Sequence, residues 1–80
     1  MATSKKTMTA NTWVEISTVD CTFQVTSDHD IYVSKQAAIP TDLTTPYKLA
    51  EGKKVYGFVA GGEKLYGYSP SKTIIVAVDV

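Results

Sequence analysis

From residue 13 onward, apolar side chains recur at every second position in short runs separated by Gly, Pro, Ser and Asp. This is the pattern of strands that bury one face. Residues 13–19 place Val14, Ile16 and Thr18 opposite Trp13, Glu15, Ser17 and Val19, with Asp20 ending or bulging the run. Residues 21–26 show the clearest period of two, so Cys21, Phe23 and Val25 form its core face. The polar cluster Ser27, Asp28, His29 and Asp30 has the chemistry of a short hairpin connection, after which residues 31–35 pair back with Ile31 and Val33 inward. Residues 36–46, with Pro40 and Pro46, read as a long loop with at most one helical turn.

Further runs follow at 47–49, 54–59, 64–69 and 73–80. Gly57 within the second of these suggests a close backbone approach. Ala60, Gly61, Gly62 and Glu63 make a tight turn with glycine available for positive φ. KVYGF at 54–58 and KLYGY at 64–68 echo each other at a spacing of ten, which reads as two arms of one hairpin. In the last run Ile74, Val76, Val78 and Val80 lie opposite Thr73, Ile75, Ala77 and Asp79, so its middle is apolar on both faces. A strand of that kind needs cover on two sides, and a neighbouring subunit is the expected second cover. The expectation is an all-β fold, a small antiparallel β-sandwich or β-barrel of six to seven strands over residues 13–80. Residues 1–12, rich in Thr, Ser, Lys and Ala without a hydrophobic period, suit a mobile arm that orders on a partner.

Composition narrows the function. Eighty residues hold one domain with a modest core. Cys21 is the only cysteine, so no internal disulfide supports the fold, and no spaced set of zinc ligands replaces it. Subunit association is the support that remains. The eight basic residues are all lysine and balance eight acidic ones, which argues against nucleic acid as a partner. The longest wholly apolar run, Ile74 to Val78, is far too short to span a membrane, and no apolar stretch follows Lys5 and Lys6 as in a secretory signal. Synthesis in the cytosol is the expectation, where a free thiol is harmless.

The inventory for catalysis is thin, with one His, one Cys and no Arg. His29, between Asp28 and Asp30, reads as part of a solvated turn, and Cys21 as a small buried hydrophobe beside Asp20. No catalytic residue, metal ligand or cofactor is assigned. Tyr47, Tyr56, Tyr66 and Tyr68, with Phe58, are the candidates for a binding surface, although the same rings can also close a sandwich or pair across strands.

The succession WVEI, FQV, IYV, P-x-x-L, YKLAEGKKVYG and YGYSPSKTIIVAVDV, spanning residues 13–80, resembles small β-rich virion proteins of tailed bacteriophages. Such families include capsid decoration proteins, head fibres and the capsid-binding ends of tail appendages, and they are often trimeric. The resemblance implies a non-enzymatic structural role: a homotrimer on the outer capsid surface, made in the host cytoplasm, with the major capsid protein or another virion protein as partner. It carries over no catalytic or metal residue. On this reading Lys5, Lys6, Ile39, Pro40 and Leu43 contact the capsid, while Tyr56, Tyr66, Tyr68, Ile75 and Ala77 contact sibling subunits. The alternative is a carbohydrate-binding or receptor-binding module of a phage appendage, with Tyr56, Tyr66 and Tyr68 as a stacking platform. A third reading is an accessory or inhibitor of a metabolic enzyme.

Overall fold

Alternation of side chains places one row of each strand in a shared core, and the chain wires those rows into two layers. The computed structural model describes residues 3–44 and 46–80. Among them are eight strands: β1 (Thr3–Met8), β2 (Trp13–Ser17), β3 (Cys21–Val25), β4 (Ile31–Gln36), β5 (Lys48–Ala50), β6 (Val55–Phe58), β7 (Lys64–Tyr68) and β8 (Ile74–Asp79). They form two four-stranded sheets, ordered β1-β8-β3-β6 (sheet 1) and β2-β7-β4-β5 (sheet 2). Every strand pairing is antiparallel. The fold is therefore all-β and sandwich-like, with eight strands where the pattern predicts six or seven.

The extra strand is β1, which lies in the segment read as a mobile arm. It pairs along its length with β8, from Thr3 opposite Asp79 to Met8 opposite Ile74. Its residues are exposed apart from Met8, which is fully buried. An edge strand that buries a single side chain has no period to detect, and Ser, Thr and Lys on its open side are the usual guard against edge-to-edge pairing. Asn11 fixes the turn that follows: its backbone N–H donates to Ser69 O at 2.8 Å and its side-chain carbonyl accepts from Ser71 N–H at 2.9 Å. Both Asn11 and Ser71 adopt positive φ, 57° and 66°.

The connectivity departs from the sequence-based expectation more than the strand positions do. Consecutive strands alternate between the two sheets, and only β4 and β5 are both consecutive and paired. The cluster at Ser27 to Asp30 is thus no hairpin turn: β3 lies in sheet 1 and β4 crosses to sheet 2. The same holds for the echo KVYGF and KLYGY, since β6 pairs with β3 and β7 pairs with β2 and β4. Between β6 and β7 the expected tight turn is present, with φ of 55° at Gly61 and 89° at Gly62 and a hydrogen bond of 2.9 Å from Glu63 N to Ala60 O. It joins layers rather than partners. Between β4 and β5 the described residues contain no helix, only bends and a turn at residues 43–44.

The inner faces interlock in one core. Sheet 1 contributes Met8, Cys21, Phe23, Val25, Phe58, Ile74, Val76 and Val78, and sheet 2 contributes Ile16, Ile31, Ala50 and Leu65. Ile16 reaches this layer through a bulge, where the register steps from Glu15 opposite Tyr66 to Ser17 opposite Leu65. Close approach of the layers falls at Gly67, where a Cβ would come within 2.6 Å of Met8 Cε and 2.7 Å of Ile16 Cδ1. Gly57, the glycine expected to permit close approach, has nothing within 4 Å of its Cβ position. Its side-chain direction is open because it sits on the outer face of the edge strand β6.

Candidate functional site

Outward positions on sheet 2 bring aromatic rings together in register. Trp13 of β2 is opposite Tyr68 of β7, Tyr68 is opposite Tyr32 of β4, and Tyr32 is opposite Leu49 of β5. The ring centroids are 5.5 Å apart for Trp13–Tyr68 and 6.3 Å for Tyr32–Tyr68. Tyr47, just ahead of β5, continues the row at 4.5 Å from Tyr32. Four rings therefore run across one sheet face, at separations typical of aromatic pairs that add stability beyond their buried area.

One end of the row is covered by the chain itself. The loop between β4 and β5 is anchored on this face by two hydrogen bonds: Trp13 Nε1 donates to Asp42 O at 3.0 Å, and Ser34 Oγ donates to Pro46 O at 2.8 Å. Beneath it Tyr66 is only 4% exposed and Pro40 is buried, whereas Ile39 and Leu43 stand out from the loop. At this covered end Trp13 is itself only 6% exposed, and it lines a shallow recess with Tyr68, Asn11, Thr12, Ile39 and Asp42.

At its far end the row meets the open side of the sandwich. β5 and β6 are the outermost strands of their sheets, so two unpaired strand edges flank this side. A cleft of about 560 Å³ opens between them, floored by Phe23, Val33, Phe58 and Leu65, with Tyr47, Leu49 and Tyr56 on its walls. Around it stand exposed apolar side chains, Tyr47 (44%), Leu49 (52%) and Val59 (68%), while Val55 is exposed on the outer face of sheet 1, in register with Gln24. Exposed apolar side chains beside tyrosines are the composition of protein-binding patches. The charged side chains lining the cleft are Lys35 and Lys48. Lys35 Nζ lies 5.8 Å from the centroid of Phe58, and Lys54 Nζ, at the start of β6, lies 5.9 Å from that of Tyr56.

The predicted partner-binding residues do not gather in one place. Tyr66 and Tyr68 are on the outer face of sheet 2, whereas Tyr56 points inward from sheet 1, stacks on Phe23 at 5.7 Å and accepts a hydrogen bond from Glu51 N–H on its hydroxyl. A single platform of Tyr56, Tyr66 and Tyr68 is not formed. Ile75 and Ala77 lie half-buried on the outer face of sheet 1, flanked by Thr7, Lys5 and Gln24. Lys5 and Lys6 belong to the edge strand β1, away from Ile39 and Leu43 on the loop over sheet 2. Trp13 and Tyr32 were missed by sequence reasoning, because alternation tells which residues share a strand face and not which strands are neighbours.

His29 and Cys21 have structural surroundings. The His29 ring donates from Nε2 to Pro70 O at 2.8 Å, which ties the β3–β4 connection to the β7–β8 loop. Cys21 is buried in the core beside Phe58. No group of three metal-binding side chains occurs among the described residues. A scan against protein-family models finds no matching family, and searches of the curated proteins and of the solved structures find no match.

Proposed function

We propose that this protein is a non-enzymatic structural component of a bacteriophage virion that docks as an oligomer on the outer surface of the capsid shell. The observation that carries this reading is the aromatic row of Tyr68, Tyr32 and Tyr47 on sheet 2, which leads through the exposed Leu49 to the cleft lined by Val59. Such a surface suits burial against protein. Small repeated contacts on a symmetric lattice gain by avidity, so a single small interface is sufficient for stable attachment. A protein that binds only the assembled shell stabilises that state by mass action. The half-buried Ile75 and Ala77, on the opposite face, are the proposed contact between sibling subunits.

Mass spectrometry of purified virions, with heat challenge of particles lacking the protein, tests this reading. The expected result is a stoichiometric virion component whose loss lowers the temperature at which heads rupture. Absence from particles contradicts it.

A glycan-binding role is favoured by one feature, the recess in which Tyr68 and Trp13 sit beside Asn11, Thr12 and Asp42. Rings with a few fixed polar groups are the usual composition of small-ligand sites. On a glycan array, specific hits lost in Tyr68→Ala favour this second reading. A virion decorator gives none.

A further inference from the structure

Two lysines of sheet 2 occupy core-facing positions. Lys48 is opposite Val33, and Lys35 is opposite Leu65, so by strand alternation both belong to the inner side of sheet 2. Sheet 1 ends at β6 and does not cover them, which leaves both exposed at the mouth of the cleft. Neither forms an ion pair among the described residues, where the pairs are Lys53–Asp28 and Lys64–Glu15. Lys35 extends over Phe58 toward the β6–β7 turn, its Nζ 3.6 Å from where a Gly61 Cβ would lie.

Lys48 lies on the edge strand β5, where an inward lysine is a known guard against indiscriminate strand pairing, and Lys35 on the neighbouring β4 adds a second charge at the same mouth. The guard is selective by charge. A second copy of this chain docking cleft to cleft would set its own Lys35 and Lys48 against these two, and like charges facing each other oppose docking. A segment bearing carboxylates meets the opposite condition.

We infer that the cleft receives an extended acidic segment of a partner protein, which pairs with the free edge of β6 and sets carboxylates against Lys35 and Lys48. β6 has no proline and an unpaired outer edge, so its outward backbone groups can accept an added strand. The segment's inward side chains fill the cleft space lined by Phe58, Leu65 and Val33. Selectivity comes from the lysines, and contact area from the rings. This deepens the virion reading, on which it rests for the partner's identity as a shell protein.

The test uses the full chain and a capped peptide, Ac-EVFEVFE-amide, with Ac-KVFKVFK-amide as its counterpart. The readouts are binding by NMR titration and amide exchange at Val55 to Phe58. The expected result is at least about tenfold preference for the acidic peptide, weakening with salt, with new protection of β6 amides. In Lys35→Glu/Lys48→Glu the preference reverses, and these exposed sites leave the thermal midpoint near that of wild type. Equal binding of both peptides, no binding, or binding that leaves β6 amides unprotected overturns the inference. Displacement of the peptide by dodecanoate with unchanged exchange at β6 also overturns it, as the cleft is then an amphiphile site. Failure of the virion reading is separate: a protein absent from particles that still discriminates the peptides retains the cleft assignment, whereas shell binding unaffected by Lys35→Glu/Lys48→Glu removes it.

Discussion

Individual glycines show how tightly the turns and layers are specified. Gly52 lies where a Cβ would come within 2.7 Å of Asp28 Cα, with backbone rather than a movable side chain in the way. Its N–H donates to Asp30 Oδ1 at 2.9 Å, and the neighbouring Lys53, at φ 65°, donates from its backbone to Val25 O. Gly52→Ala is expected to cost about 2–3 kcal/mol, the scale of overpacking a closed site, read as a fall in the midpoint of urea unfolding. Gly57 is the reverse case. With open space at its Cβ and an extended strand backbone, Gly57→Thr is expected to stabilise the isolated protein by about 0.5–1 kcal/mol in the same assay. A drop in stability there would show that the outer face of β6 is already occupied.

At the level of elements, the strand positions were legible and their partners were not. Seven of the strands follow from alternation because Cys21, Phe23 and Val25, or Ile74, Val76 and Val78, mark one face by themselves. β1 could not be read, since Lys5, Lys6 and the threonines around them are what an exposed edge selects, and Met8 alone enters the core. The division into sheets was hidden for a different reason. Period two fixes which face is buried but is blind to whether a turn returns to the same layer or crosses the core, so two crossings were read as hairpins. The aromatic row depends on that division, which explains why Tyr68 was singled out while Trp13 and Tyr32 were not. Met8→Ala is expected to cost about 2–5 kcal/mol, as for other buried methionines, whereas Lys5→Ala and Lys6→Ala fall within about 0.5 kcal/mol of wild type. Thermal unfolding of the three variants distinguishes a docked strand from an arm, since an arm leaves all three alike. In the loop over sheet 2, Trp13→Phe removes the indole donor to Asp42 O and is expected to cost about 1 kcal/mol, with faster amide exchange across the loop.

The whole molecule is a flattened body, about 31 × 27 × 17 Å, whose sides differ in kind. The β1 and β2 side is closed by the Asn11 turn, and the outer face of sheet 1 mixes Thr, Lys and Gln with Ile75 and Ala77. The remaining side, from the tyrosines of sheet 2 to the edge of β6, leaves apolar surface in water. That exposure is costly for a small domain, and the proposed docking on a capsid shell is the contact that relieves it. The most direct test is co-sedimentation of wild type and Leu49→Ser/Val59→Ser with expanded capsid shells, both positions being exposed and outside the core. The account predicts that wild type pellets with the shells while the double variant, equally stable in solution, stays in the supernatant. Equal pelleting of the two, or wild type left in the supernatant, would contradict it.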